Sequence, residues 1–366
     1  MNLEERLRER IRREGPISFY DWMQAALYDE RDGYYCRRDR VRQGRQGDYR
    51  TAPEMSPLFG AAFANYFMKS YFDLGAPPSW TIVEIGGGTG DFAHDVLRSL
   101  QINFPQVFSA TQYIIDEVSA DAQSQALSKV APFKDRLQFC ALSEFREPLP
   151  HALIFSNELL DAFPVHRVIG RGRGIKELCV AFGDATDKFA WVECKPGGPV
   201  AEYCDLIKLQ LAEGQIYEVN LRAEQFLSLA AKSIHEGILI TVDYGAERPE
   251  LLSDPNRFSG TLRAFRKHQF VDDILSHPGE HDLTTTIDWT QIMEAGQRHG
   301  LETLRFERLN EFLMGEAPMP EIMRAASLVT DPAKQFKLNR DALELFKSDG
   351  MAGAFQVLVQ RKSRRD

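Results

Sequence analysis

The segment Val83-Glu84-Ile85-Gly86-Gly87-Gly88-Thr89-Gly90-Asp91 constrains this chain more than any other. A short apolar strand over 80–85 runs straight into a glycine-rich turn. A helical pattern follows, with Phe92, Val96, Leu97 and Leu100 on one face. Glycine in such a turn permits left-handed backbone and lets a ligand approach closely. The helix N-terminus behind it offers N–H groups that have no intrahelical partner. The chain keeps alternating in the same way. Strands are expected over 113–116, 136–140, 152–156 and 237–243, and helices over 120–130 and 219–235. Strands separated by helices predict α/β architecture with a parallel, doubly wound, Rossmann-like sheet. Two late strands, over 301–306 and 354–359, complete the sheet in a direction that their spacing does not reveal.

Outside this alternation, residues 1–30 read as helix, with Leu3, Leu7 and Ile11 on one face and Ser18 capping a second helical stretch. Residues 29–57 are rich in Gly, Arg, Asp and Pro and read as irregular; 58–74 is helical again. The glycine-rich stretch 165–216 reads as a β-rich excursion that ends in a helix near 200–212. These patterns predict an N-terminal helical and lid segment over 1–75 and a sheet domain over 76–366, with insertions at about 165–216 and 246–290. Both insertions follow strand ends, where open α/β sheets place their ligands.

Composition narrows the function classes. The chain has 366 residues, 27% of them charged, and a formal net charge of −9. That balance makes nucleic acid a poor general partner. Apolar runs are too short for a membrane span. The opening MNLEERLRERIRRE has neither the apolar stretch of a signal peptide nor the low acidity of a transit peptide, so a cytoplasmic location is expected. Five cysteines lack C-x-x-C spacing and the histidines are scattered, so no metal is expected.

Two ligands compete for the glycine turn. Gly88 to Ala93 fits the G-x-G-x-x-A string of dinucleotide sites. Glu84, Gly86, Gly88 and Gly90 fit the acid followed by G-x-G-x-G that binds S-adenosylmethionine. Charge favours the second: a pyrophosphate sits badly against Glu84 and Asp91, whereas a sulfonium and an ammonium welcome carboxylates. An acid at the tip of the next strand, Glu117 if Asp116 points away, can hold a ribose diol in either case. Thr51 and Pro53, in a Gly/Pro-rich stretch before the sheet, are read as lid residues facing the cofactor. After the fourth strand come Asn157, Glu158 and Asp161. Asn157 can position a transferring group, and the two acids can hold a cationic acceptor or take its proton; the plain alternative is that Asn157 and Asp161 cap a helix.

Five segments in order carry a resemblance: GDYRTAPEMSPLFG (47–60), EIGGGTGD (84–91), SNELLDAFPVHR (156–167), ITVDYG (240–245) and GTLRAFRKHQ with GEHDLTTTIDW (260–289). Together they resemble the MidA-type family, which contains a mitochondrial complex I assembly-factor methyltransferase and bacterial relatives. The resemblance runs from about residue 15 to about 315. It implies a fold of the class I methyltransferase type, S-adenosyl-L-methionine as cofactor, and methyl transfer to an arginine side chain of a protein acceptor. On that reading Thr51, Pro53, Glu84, Gly86, Gly88, Gly90, Glu117 and Asn157 bind the cofactor, and Glu158 and Asp161 serve the acceptor. The family's turn usually reads closer to GPGRGT, and this chain lacks that arginine. A nicotinamide-dependent oxidoreductase and a cofactor-binding assembly factor without transfer activity remain as alternatives at this point.

Overall fold

A computed structural model describes residues 1–37, 52–183, 185–266, 269–317, 340 and 344–364. The chain divides into two compact units. One is Arg50–Leu159 with Leu227–Gly245 and Met293–Asp366; the other is Met1–Tyr49 with Leu160–Phe226 and Ala246–Ile292.

The first unit holds the sheet. Its strands are β1 (Trp80–Ile85), β2 (Thr111–Asp116), β3 (Leu137–Phe139), β4 (Leu149–Asn157), β5 (Ile234–Ala246), β6 (Glu302–Arg308) and β7 (Phe355–Lys362). Along the main path they lie in the order β3-β2-β1-β4-β5-β7-β6. The pairs from β3 to β5 are parallel. Strand β7 runs antiparallel to both β5 and β6, which settles the direction of the two late strands. Strand order reverses between β1 and β4, and Ile85 is the register partner of Ser156. The glycine turn and Asn157 therefore leave the sheet side by side, at the switch point where ligands bind in open α/β sheets.

Helix α1 (Pro57–Asp73) begins where Ser56 accepts the Leu58 N–H and Pro57 takes the first helical position. It packs with α2 (Asp91–Asn103) on one face of the sheet. Phe63, Phe92, Phe155 and Phe312 form the centre of that core. The Phe92 and Phe155 rings stack at 4.1 Å, and Phe63 meets Phe155 edge-on at 4.9 Å. Each fully buried aromatic contributes about 2–3 kcal/mol of transfer free energy, which fixes α2 and the turn before it. Helix α3 (Ala120–Lys129) follows β2 and is capped by Ser119.

The second unit gathers the N-terminal helices and both excursions. As expected, residues 1–30 hold two helices, Leu3–Glu14 and Phe19–Tyr28, the second capped by Ser18; they are separated at Gly15, whose φ of 82° no helix accommodates. The excursion after β4 is an antiparallel sheet. His166–Arg171, Gly174–Gly183 and Lys188–Cys194 form its meander, Ile17–Ser18 pairs Gly174–Gly183, and Ile216–Val219 pairs His166–Arg171. The insertion expected at about 246–290 contains short strands Arg263–Arg266, Gln269–Phe270 and Asp282–Thr284, which pair with one another. They are too short to leave a period in the sequence.

Candidate cofactor and acceptor site

Three residues of the glycine turn adopt left-handed backbone: Gly86 at φ 72°, Gly88 at 52° and Gly90 at 78°. Packing demands the last one as well, because a Cβ on Gly90 would lie 2.9 Å from the Ala126 Cβ of α3. Part of the glycine string thus serves the close approach of α3 to α2. Gly88 is different: its N–H points out of the turn and donates to Glu117 Oε2 at 2.8 Å. Glu117 Oε1 accepts the Ser119 N–H at 2.7 Å, so the carboxylate is held by backbone donors on both oxygens. Asp116 turns away and accepts the Leu142 N–H at 2.7 Å, which leaves Glu117 as the acid beside the turn.

Glu84 lies beneath the turn. It is 5% exposed, and its Oε2 accepts the Tyr113 O–H at 2.9 Å. Burial first, and then the nearby Glu117 and Asp91, push its carboxyl up to about 8; the Tyr113 bond acts in the opposite direction. Asp91 meets Lys129 at 2.5 Å and Thr89 Oγ1 at 2.6 Å. The charge argument against a pyrophosphate therefore changes on inspection of the geometry. Glu84 is held protonated near neutrality and Asp91 is already paired with a lysine, so neither offers a bare charge to a ligand. Glu117 does.

At the neighbouring strand tip, the Asn157 amide donates to Glu158 Oε1 at 3.0 Å. Asn157 Oδ1 is buried and accepts no hydrogen bond from the described residues, an acceptor suited to an ammonium or hydroxyl donor. Glu158 has φ 51°, and its N–H donates to the Val242 carbonyl at 2.9 Å. No helix follows Asn157, so the helix-cap reading of Asn157 and Asp161 falls away. In the second unit Asp161 is 8% exposed. Its Oδ2 accepts the Thr284 O–H at 2.8 Å and its carbonyl the Thr285 N–H at 3.0 Å. Pro53 lies in the short helix Ala52–Met55, which packs against α2. Thr51 and residues 47–50 before it lie outside the described residues.

Sequence reasoning missed Tyr113 and Thr284. Tyr113 is two residues before Ile115, the register partner of Glu84, so it shares the face of Glu84; strand register alone could have found it. Thr284 has no such signal, because its partner is 123 positions away.

These residues fit S-adenosyl-L-methionine. A turn of glycines broken only by Thr89, a fixed carboxylate for a diol and a buried acceptor at Asn157 supply what a nucleoside and an amino acid moiety need. Comparisons with known proteins agree. Residues 62–307 match the family described as "Putative S-adenosyl-L-methionine-dependent methyltransferase". The chain is 26% identical to the Drosophila melanogaster homolog of the mitochondrial protein arginine methyltransferase NDUFAF7, over 91% of this chain and 82% of that protein. It is 24% identical to the human NDUFAF7, over 79% of this chain and 67% of that protein. A Burkholderia thailandensis crystal structure bound to S-adenosyl-homocysteine superposes with a TM-score of 0.85 at 24% identity, covering 100% of this chain and 92% of that one. That likeness shows the fold. The expected cytoplasmic location does not stand, because these curated relatives are named as mitochondrial proteins. Net charge and the lack of a long apolar run do not tell one compartment from another. The family match also sets aside the nicotinamide alternative: the chain belongs to the MidA-type family of S-adenosyl-L-methionine-dependent methyltransferases.

Proposed function

We propose that this enzyme methylates an arginine side chain of a protein acceptor, with Glu117, Asn157 and the turn Gly86–Gly90 holding the cofactor and Glu158 and Asp161 serving the acceptor. The observation that carries the acceptor half is Glu158, a carboxylate on left-handed backbone at the switch-point strand tip. A non-glycine residue there costs about 1–2 kcal/mol, and such a cost persists mainly where a side chain has a task. Asp161 follows three residues later in the same chain segment. The curated relatives named as protein arginine methyltransferases support the choice of acceptor. Thr51 and Pro53 belong to the same reading, as residues of a lid over the cofactor.

The cofactor supplies an electrophilic methyl group. The protein's task is to hold a guanidinium nitrogen in line with that methyl and to take the proton the nitrogen loses. A carboxylate grips guanidinium through paired N–H donors and stabilises the charge as it passes through. The test is incubation with methyl-labelled cofactor and host lysate, followed by hydrolysis of any labelled polypeptide. Methylated arginine is the expected product. Glu158→Gln and Asp161→Asn should each lower transfer by roughly two to four orders of magnitude while cofactor binding is kept. Label on another residue type, or both variants transferring at the parent rate, would remove the assignment.

A further inference from the structure

Glu84 is an acid placed where an acid is costly. Its register partners are Phe155 on β4 and Ile115 on β2, so it faces the apolar side of the sheet. Among the described residues, the charged and titratable groups acting on it are Tyr113 on β2, Glu117 past the end of β2 and Asp91 at the start of α2, which is itself paired with Lys129. Gly87 covers it closely: a Cβ on Gly87 would lie 3.5 Å from Glu84 Oε2. The carboxyl is thus one backbone thickness below the surface that receives the cofactor. Tyr113 is fully buried, and burial together with Glu84 pushes its phenol well above its ordinary value, so it stays a donor whatever Glu84 does.

We propose that Glu84 and Tyr113 form a proton-holding pair beneath the glycine turn, which gives up one proton to solvent when a cationic cofactor binds above it. This rests on the reading of the turn as the cofactor site. The physical reason is the sign of the charges. Burial, with two acids facing it, keeps the proton on Glu84 while the turn is bare; a sulfonium and an ammonium brought near it favour the anion. Tyr113 is a positioning residue in this account: its O–H stays on the carboxylate, and a charge-assisted bond stabilises the buried anion. Methyl transfer removes the sulfonium charge. The pair then recovers a proton, and the spent cofactor is held less tightly than the donor.

Calorimetric titration of the full chain with S-adenosylmethionine, in buffers of different ionisation enthalpy, counts the protons directly. At pH 7 we expect release of about 0.5–1 proton per cofactor bound, and fewer with S-adenosylhomocysteine. Affinity for S-adenosylmethionine should rise by up to roughly tenfold per pH unit below pH 8. The cofactor's own ammonium titrates alike in the parent and in Glu84→Gln, so the difference between them isolates Glu84. Glu84→Gln should lose the release, and Tyr113→Phe should move it to higher pH. An identical proton count in the parent and Glu84→Gln overturns the pair while leaving the cofactor site intact. A folded parent that binds no S-adenosylmethionine overturns the site, and the pair with it.

Discussion

Two turns leave the sheet at adjacent strand ends and meet the same geometric demand with opposite chemistry. After β1, the chain turns through Gly86, Gly88 and Gly90, each left-handed. Glycine bears no Cβ, so those conformations cost nothing sterically, and the Gly86, Gly88 and Gly90 N–H groups donate to the Asp116 carbonyl, the Glu117 carboxylate and the Gly87 carbonyl. After β4, the chain makes its left-handed step at Glu158, where glycine would be easier. The first turn keeps side chains out of the way at its three left-handed positions. The second keeps a side chain at a conformational cost, which points to the side chain as the part that is needed. A recognition surface for a cofactor can be largely main chain, whereas handling a cationic acceptor calls for a carboxylate.

The strongest way to break this comparison is Gly88→Val. A β-branched side chain at φ 52° resists the conformation and fills the space the ligand needs. Binding of S-adenosylmethionine should fall below detection while the thermal melt stays cooperative. Collapse of the fold would mean that the turn is a structural corner first. A smaller effect is expected at Glu117→Ala, which removes the carboxylate held by Gly88 and Ser119. Affinity should drop by about 1.5–3 kcal/mol, the scale of a hydrogen bond to a charged group. An unchanged dissociation constant in a folded variant would take the ribose away from Glu117.

The two turns also differ in how much the sequence discloses. Strand, glycine string and helix are local signals, so β1, the turn and α2 are readable from spacing, and so is the acid at the next strand tip. What is not readable is which acid carries charge. Glu84 looks like an open carboxylate beside a glycine string, yet register places it under the sheet's apolar face with Tyr113 as donor. The segment 156–161 reads equally well as a helix cap, because Asn and Asp are favoured both there and in irregular turns. Thr284 escapes because the bond to Asp161 joins distant parts of one unit. The antiparallel entry of β7 is hidden for a similar reason: a strand's composition does not encode its direction.

The finest test asks whether Glu158 really stores a backbone cost. Glu158→Ala and Glu158→Gly both remove the carboxylate and its bond from the Asn157 amide. They differ in the Cβ, which is unfavourable at φ 51°. Glycine relieves that cost but adds freedom to the unfolded chain, worth about 0.4–1 kcal/mol against it. With 1–2 kcal/mol relieved, the glycine variant should come out roughly 0.5–1 kcal/mol more stable than the alanine variant. Midpoints of denaturant unfolding at equal slope would read this difference directly. Methyl transfer should be lost alike in both. A glycine variant no more stable than alanine would mean that the left-handed step is already relaxed, and the contrast between the two turns would then rest on the carboxylate alone.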